Sequence, residues 1–360
     1  MSEKLSAAAK MMDGEVVTLT DDIIFTPLTQ EGGIAWTLCQ PLHSGSSFIL
    51  ASAAVSGDEA AFHTTQRLKN EFALRRRLSD AWAIKPFSST SYHGHYALVY
   101  TPFPFRTLAQ LPRLRTRSIT DFLSVAIGLC APLRQMHAQG LMHSDIKPGH
   151  FFIDPGGAYR LGGFGLASEG TNAFDPSRLT EPGGTLAYMS PEHTSRTPDR
   201  VDSRSDLYSL GIVLYELLTG ELPFDLSDGG QAEWAHHHIA SAPRPPRQVR
   251  PSVPSTLSDI ILRLVEKSPD NRYQTVDGLI ADLRRCEASL AKNGEITPFI
   301  PGLQDRVAAR LQPDPLFLDH PQHHQLLAVF DRVAESGAHA LVTIGGPPGC
   351  GKSSLIASAL

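Results

Sequence analysis

Two absences mark this 360-residue chain: no lysine lies between Lys10 and Lys69, and no aspartate between Asp154 and Asp175. Cysteine is scarce. The four present (Cys39, Cys130, Cys286, Cys350) are scattered and make no Cys-x-x-Cys pair. That argues against a disulfide framework or a thiolate metal site and fits free thiols in a reducing compartment. Long hydrophobic runs are lacking. No stretch reaches the roughly 18 apolar residues that a bilayer span needs. The N-terminal "MSEKLSAAAKMMDGEVV" lacks the apolar core of a signal peptide. The chain therefore reads as cytoplasmic, with no membrane span. Excess charge is small, net −5 from 32 basic and 37 acidic residues, which gives no reason to expect a nucleic-acid partner. The rest is ordinary for a globular protein, 41% hydrophobic and 19% charged. Its length predicts about two to three domains and a sizeable core.

Residues 1–20 read as a flexible N-terminus. Over 21–101, "DIIFTPL", "GIAWTLC", "SSFILASAAV" and "YALVYT", separated by Gly and Ser turns, predict strands. One helix interrupts them in "TTQRLKNEFALRRRL", with Leu68, Phe72, Leu74 and Leu78 on one face. "TPFPFRTLAQLP" reads as a hinge, and residues 102–290 are mostly helical. In "SITDFLSVAIGLCAPLRQMHAQG" apolar residues recur at helix spacing and Gly140 suits the stop. "SDLYSLGIVLYELLTG" is apolar nearly all round, which predicts a buried helix ending at Gly220. Residues 291–315 read as a linker and 316–360 as the start of a new unit.

A small β-rich lobe, a hinge and a helical lobe form the bilobal layout of protein kinases, and five motifs carry the resemblance. "LMHSDIKPGHFFID" resembles the catalytic loop His-Arg-Asp-Leu-Lys-Pro-x-Asn, with His143, Asp145, Lys147 and Pro148 in place. The resemblance implies that Asp145 accepts the proton of a substrate hydroxyl and that Lys147 stabilises charge on the transferred phosphoryl group. Phe164, in "GGFG", stands where kinases carry Asp-Phe-Gly. "GTLAYMSPEH" resembles the end of a Ser/Thr kinase activation segment, with Thr185 facing the catalytic loop and Glu192 in the Ala-Pro-Glu position. Asp206 stands where kinases hold the catalytic-loop backbone, and Arg272 where they pair an arginine with Glu192. His143, Phe164, Thr185, Glu192, Asp206 and Arg272 are thus scaffold residues.

The phosphate-handling groups are missing. The turn "TQEGGIAW" has Gly32 and Gly33 but no Gly-x-Gly-x-x-Gly. The strand "SFILASAAV" has no lysine. The magnesium-binding aspartate is replaced by Gly163, and the second ligand, normally asparagine, by His150. Phosphoryl transfer rests on positioning and charge neutralisation, so the sequence reads as a pseudokinase, with ATP and Mg2+ doubtful in this domain. Lys85, in "WAIK", follows the helix it should precede and reads as a solvated lysine. Glu71 then has no lysine to pair with and reads as a surface glutamate. Ser144 replaces the arginine before Asp145, which argues against activation by loop phosphorylation.

A second signature ends the chain. "ALVTIGGPPGCGKSSLIASAL" predicts a strand, a Gly-rich turn and a helix, and Gly346, Gly349, Gly351, Lys352 and Ser353 fit G-x-x-x-x-G-K-[ST]. Such a loop cradles the phosphates of ATP, with Lys352 on the β- and γ-phosphates and Ser353 on Mg2+. The expected fold class is α+β, a bilobal protein-kinase fold followed by the start of an α/β P-loop NTPase domain. "AEWAHHHIASAPRPP", "DNRYQTVDGLIADLRRC", "GEITPFIPGLQD" and "PLFLDHPQHHQLLAVFDRVAESG" resemble large hybrid sensor histidine kinases of bacteria and fungi. That resemblance implies two-component signalling, with an AAA-type ATPase module following and protein partners or downstream domains of the same polypeptide. The clusters His236–His238 and His320, His323, His324 lack Cys or acid partners at ligand spacing and predict no metal site. Two other readings stay open: an active Ser/Thr kinase with atypical phosphate handling, and nucleotide sensing by the P-loop.

Overall fold

The computed structural model describes residues 23–42, 45–54, 58–103, 106–110, 118–169, 186–194, 196–197, 199–224, 230–305, 321–337 and 339–345. The chain divides into two compact units, Met1–Pro301 and Gly302–Leu360.

The first unit opens with a five-stranded antiparallel sheet in the order β1-β2-β3-β5-β4. Its strands are β1 (Ile23–Glu31), β2 (Ile34–Pro41), β3 (Phe48–Ala53), β4 (Ser88–Tyr92) and β5 (His95–Tyr100). β1 lies at an edge, where Pro27 and a register shift between Pro27 and Thr29 cost no central ladder bond. β4, "SSTSY", has no apolar alternation and is absent from the strands expected above. Pairing with β5 from Ser88↔Val99 to Tyr92↔His95 makes it a strand. Helix α1 (Asp58–Leu74) lays Leu68 and Phe72 on a core with Ile49, Ala51, Leu98 and Tyr100. It stops short of Leu78, which is buried just beyond the turn.

The helical lobe is built on α2 (Ile119–His137), α3 (Ser203–Thr219), α4 (Gln231–Ala240), α5 (Ser255–Leu264) and α6 (Val276–Asn293). Ser118 caps α2 by accepting from the Asp121 amide at 3.0 Å. Its apolar stripe (Phe122, Ala126, Leu129, Leu133, Met136) is fully buried. Asp202 closes a capping box at the start of α3, and Gly220, at φ +88°, ends it. Between α2 and α3 run β6 (Leu141–Met142), β7 (Phe151–Ile153), β8 (Tyr159–Leu161) and β9 (Ser168–Glu169), pairing β6 with β9 and β7 with β8. After α6, Ile296 is buried and Phe299 packs on the same core with Arg285 over its ring at 4.2 Å. This first part of the expected linker therefore belongs to the first unit.

In the second unit, α7 spans Pro321–Ser336. The expected strand at "ALVTI" is not formed: residues 339–345 are irregular, and Leu341 is exposed. A strand needs a ladder partner, and no second strand of this unit lies among the described residues. Among the described residues no helix is long and apolar enough to cross a membrane.

Candidate active site

The catalytic-loop backbone is set from beneath by α3. Asp206, buried in the first turn, accepts from the amides of His143 (2.9 Å) and Ser144 (2.8 Å) and from His137 Nε2 (2.8 Å). Ser144 needs that grip, because its φ of +61° lies in the left-handed region, which costs about 1–3 kcal/mol in a non-glycine residue. Burial alone would raise the Asp206 carboxyl; the hydrogen bond from His137 foremost outweighs it and holds the group below the usual range. His143 Nε2 donates to the Gly162 carbonyl at 3.0 Å, and its ring packs on Phe164. Arg272 grips Glu192 with two bonds, 2.6 and 2.8 Å, in the buried core.

Asp145 and Lys147 are both brought into the cleft, in company the sequence reading missed. Arg67, on α1, reaches the Asp145 carboxylate at 3.4 Å, and Lys147 Nζ lies 3.8 Å from the same oxygen. The Asp145 side chain is only 2% exposed. Burial works against its ionisation, but the charges of Lys147 and Arg67 hold its carboxyl well below the usual carboxylate range. A general base is most effective with a pKa near the working pH, so Asp145 is a weak base engaged by two cations. Arg67 was findable: it lies four residues before Glu71, on the same helix face.

The metal positions do not fit magnesium. Gly163 offers no side chain, and its φ is +75°. His150 Nδ1 donates to the Asp145 carbonyl at 2.7 Å. Because a carbonyl only accepts, the proton sits on Nδ1, and the other face of the ring packs on Gly163. A Cβ there would lie 2.5 Å from Nε2. Burial, reinforced by Lys147, holds the His150 pKa well below its ordinary value, so the ring is neutral at neutral pH. Mg2+ demands hard oxygen ligands, and these two positions supply none.

Glu71 corrects an expectation. It is buried, not on the surface, and accepts from the Tyr100 hydroxyl at 2.9 Å and from the Phe164 amide. The side of β3 facing it carries Ile49 and Ala51 in place of a lysine. Next to it, Asn70 Nδ2 donates to the carbonyls of Gly165 (3.1 Å) and Ala167 (2.8 Å), fastening α1 to the Gly-Phe-Gly segment. Burial pushes the Glu71 carboxyl up to about 7. The folded chain thus keeps a proton that the unfolded chain releases near pH 4.5, so this group's contribution falls as pH rises from 4.5 to 7. Glu71→Gln keeps the acceptor without the charge. Its stability relative to the parent is expected to grow by about 2–3 kcal/mol between pH 5 and 8. Urea denaturation at both pH values checks this, and a constant difference contradicts it.

Aromatic side chains fill the cleft. Trp36 (β2) packs on Tyr100 (β5) at 5.2 Å, and Phe103, past the end of β5, packs on Phe152 (β7) at 5.3 Å. The remaining space beneath the β1–β2 turn is about 30 Å³. A neighbouring cavity of about 160 Å³, lined by Phe103, Phe152, Asp154 and Arg160, is larger but still small. Small-molecule sites usually measure about 300–1,000 Å³.

Lys85 donates to the Leu78 carbonyl at 3.2 Å and lies 3.2 Å from Asp80. Among the histidines, His238 is buried between the Tyr208 hydroxyl (2.9 Å) and the Leu186 carbonyl (2.8 Å), and burial lowers its pKa to about 3. Thr185, Gly346, Gly349, Gly351, Lys352 and Ser353 lie outside the described residues, as does His320, and nothing is described of the His323 and His324 side chains.

A family model described as the protein kinase domain matches residues 39–282. Serine/threonine-protein kinase PknB of Mycobacterium leprae is 36% identical over 46% of this chain and 26% of its own length. A probable serine/threonine-protein kinase of Clostridium perfringens is 35% identical over 46% of this chain and 23% of its own. Hybrid signal transduction histidine kinase G of Dictyostelium discoideum is 28% identical over 66% of this chain and 9% of its own. The chain thus spans about a quarter of the first two relatives and less of the third. With two lobes, a catalytic loop held by Asp206 and a family match over well over half its length, the chain belongs to the protein kinase domain family.

Proposed function

We propose that the kinase unit is a pseudokinase, a regulatory and protein-docking module of a cytoplasmic signalling protein. The single observation that carries this reading is the pair of metal positions held by Gly163 and a neutral, packed His150. Protein kinase domains in general use ATP and Mg2+, whose ions bridge the β- and γ-phosphate oxygens. Here the two positions that would hold those ions, Gly163 and His150, offer no oxygen side chain. The residues of this chain instead hold Asp145 ionised between Arg67 and Lys147 and fill the cleft with aromatic rings.

The likeness to the Dictyostelium hybrid histidine kinase supports a setting in two-component signalling. The Gly346–Ser353 pattern supports a P-loop ATPase module joined to the kinase unit, with Lys352 and Ser353 handling ATP and Mg2+. A second reading, active Ser/Thr phosphotransfer through Asp145, is favoured by the names of the PknB-type relatives.

A thermal-shift titration with ATP, with and without Mg2+, separates the two. The chain carries Lys352→Ala, so that the P-loop stays silent. Saturation at 100 times Kd would stabilise the fold by about 2.7 kcal/mol. No magnesium-dependent rise is expected at millimolar ATP. A clear rise, with phosphate transfer lost in Asp145→Asn, would establish the active kinase.

A further inference from the structure

We propose that the cavity lined by Phe103, Phe152 and Arg160 is a ligand site for a small aromatic carboxylate of benzoate size, its ring held among apolar side chains and its carboxylate on Arg160. Such a site is independent of whether the kinase unit transfers phosphate.

Separate segments wall this cavity, and they are pinned to one another. The Ile84 amide donates to the Leu161 carbonyl of β8 at 2.7 Å. Phe152 is paired with Arg160 across the β7–β8 hairpin, so both side chains leave the same face. Asp154, two residues on, continues that face. The Ile153 amide donates to the Arg106 carbonyl at 2.9 Å, which holds β7 to the segment that follows Phe103. The Phe103 ring meets Phe152 edge-on at 5.3 Å, and Pro155 adds a further apolar wall. The space is therefore preformed, which spares a ligand the cost of ordering it.

Its volume, about 160 Å³, is below that of a nucleotide site. Yet an apolar cavity of about 150 Å³ is enough to hold benzene. Ile84, Phe103, Phe152 and Pro155 form the apolar part, and the two phenylalanines offer ring edges and faces to an aromatic guest. The polar part has a definite sign. Asp154 is engaged by its own turn, where Oδ1 accepts from the Ala158 amide at 2.8 Å. Arg160 Nη2 lies 3.9 Å from Asp154 Oδ2, beyond hydrogen-bond reach. Among the described residues that ion pair is the contact the Arg160 guanidinium makes, and no hydrogen bond uses its N–H donors. A planar fork of donors beside an apolar slot matches a carboxylate carried on a ring. A neutral ring would leave the fork unused, and an acid without a ring would leave the apolar walls uncovered.

The test is calorimetric titration of the full chain with sodium benzoate. Benzyl alcohol, a ring without the charge, and acetate, the charge without a ring, form separate arms. Saturable binding of benzoate at millimolar concentration is expected, with both other probes at least about tenfold weaker. The Arg160 side chain is 36% exposed, so Arg160→Gln keeps the fold while removing the charge. It should weaken benzoate at least about tenfold. Ile84→Phe, which puts a ring of its own into the space, should abolish benzoate binding. Hydrogen exchange in the β7–β8 turn should slow when benzoate is added to the parent and stay unchanged in Ile84→Phe. The proposal is overturned if benzoate does not bind, or if benzyl alcohol or acetate binds as tightly. It is equally overturned if benzoate binding survives Arg160→Gln, or if exchange slows only elsewhere in the chain.

Discussion

Arg272→Met is expected to cost about 3–5 kcal/mol, the range for removing one partner of a buried ion pair. Arg272 is fully buried, and every nitrogen of its guanidinium is engaged. Two bind Glu192; beyond that, Nε donates to the Glu266 carbonyl (2.8 Å), Nη2 to Lys267 (2.9 Å) and Nη1 to Arg204 (3.1 Å). The methionine would match the stem but leave three carbonyls without these donors. The Glu192 carboxylate would keep the Ser205 hydroxyl at 2.6 Å as its remaining side-chain donor. Burial alone would raise Glu192; Arg272 foremost brings it down to about 2. The folded pKa is therefore below the unfolded value of 4.5, so the pair's contribution is present above pH 4.5 and is lost as pH falls towards 2. Glu192→Gln combined with Arg272→Met should cost less than the two single changes summed, because neither charge is then left alone. Urea denaturation followed by circular dichroism at pH 7 measures all three variants. A loss under about 1 kcal/mol for Arg272→Met would show that the pair is not the clamp its geometry implies.

Gly163→Asp, the change that restores the family's metal ligand, is expected to destabilise the fold by about 2–4 kcal/mol, combining overpacking with left-handed backbone cost. The new Cβ would meet His150 at 2.5–2.7 Å, and that ring is held by its 2.7 Å bond to the Asp145 carbonyl. His150→Asn removes the ring and frees the space. The double variant is expected to be more stable than Gly163→Asp alone by about 1–2 kcal/mol, a favourable coupling between neighbours. Thermal denaturation of the four-member cycle measures it. Strict additivity would mean that the ring moves aside freely.

The parts legible in the sequence were those written in local patterns. The helices followed from apolar spacing, and Gly220 and Gly140 marked ends that the fold places close to expectation. Asp206 and the Glu192–Arg272 pair were legible because kinase motifs fix their neighbours on short loops. The content of the cleft was not, because residues far apart in the chain make it. Arg67 meets Asp145 across 78 residues, and Trp36, Tyr100, Phe103 and Phe152 come from three strands and the segment after β5. Glu71 was misread because its fate was tied to a lysine. In the fold a hydroxyl and an amide serve instead, and burial raises the carboxyl so that it ionises less readily. "ALVTI" has the composition of a strand, but composition supplies no ladder partner.

The packing of His150 on Gly163 also bears on how such a site changes over generations. Two oxygen ligands would require two substitutions, and neither order is smooth. Aspartate first strikes the ring, while asparagine first opens a void in a buried cleft, with its own cost in lost contacts. Each single change thus carries a packing cost of its own. Selection for a well-folded protein alone therefore tends to keep the two residues together, whatever their chemistry.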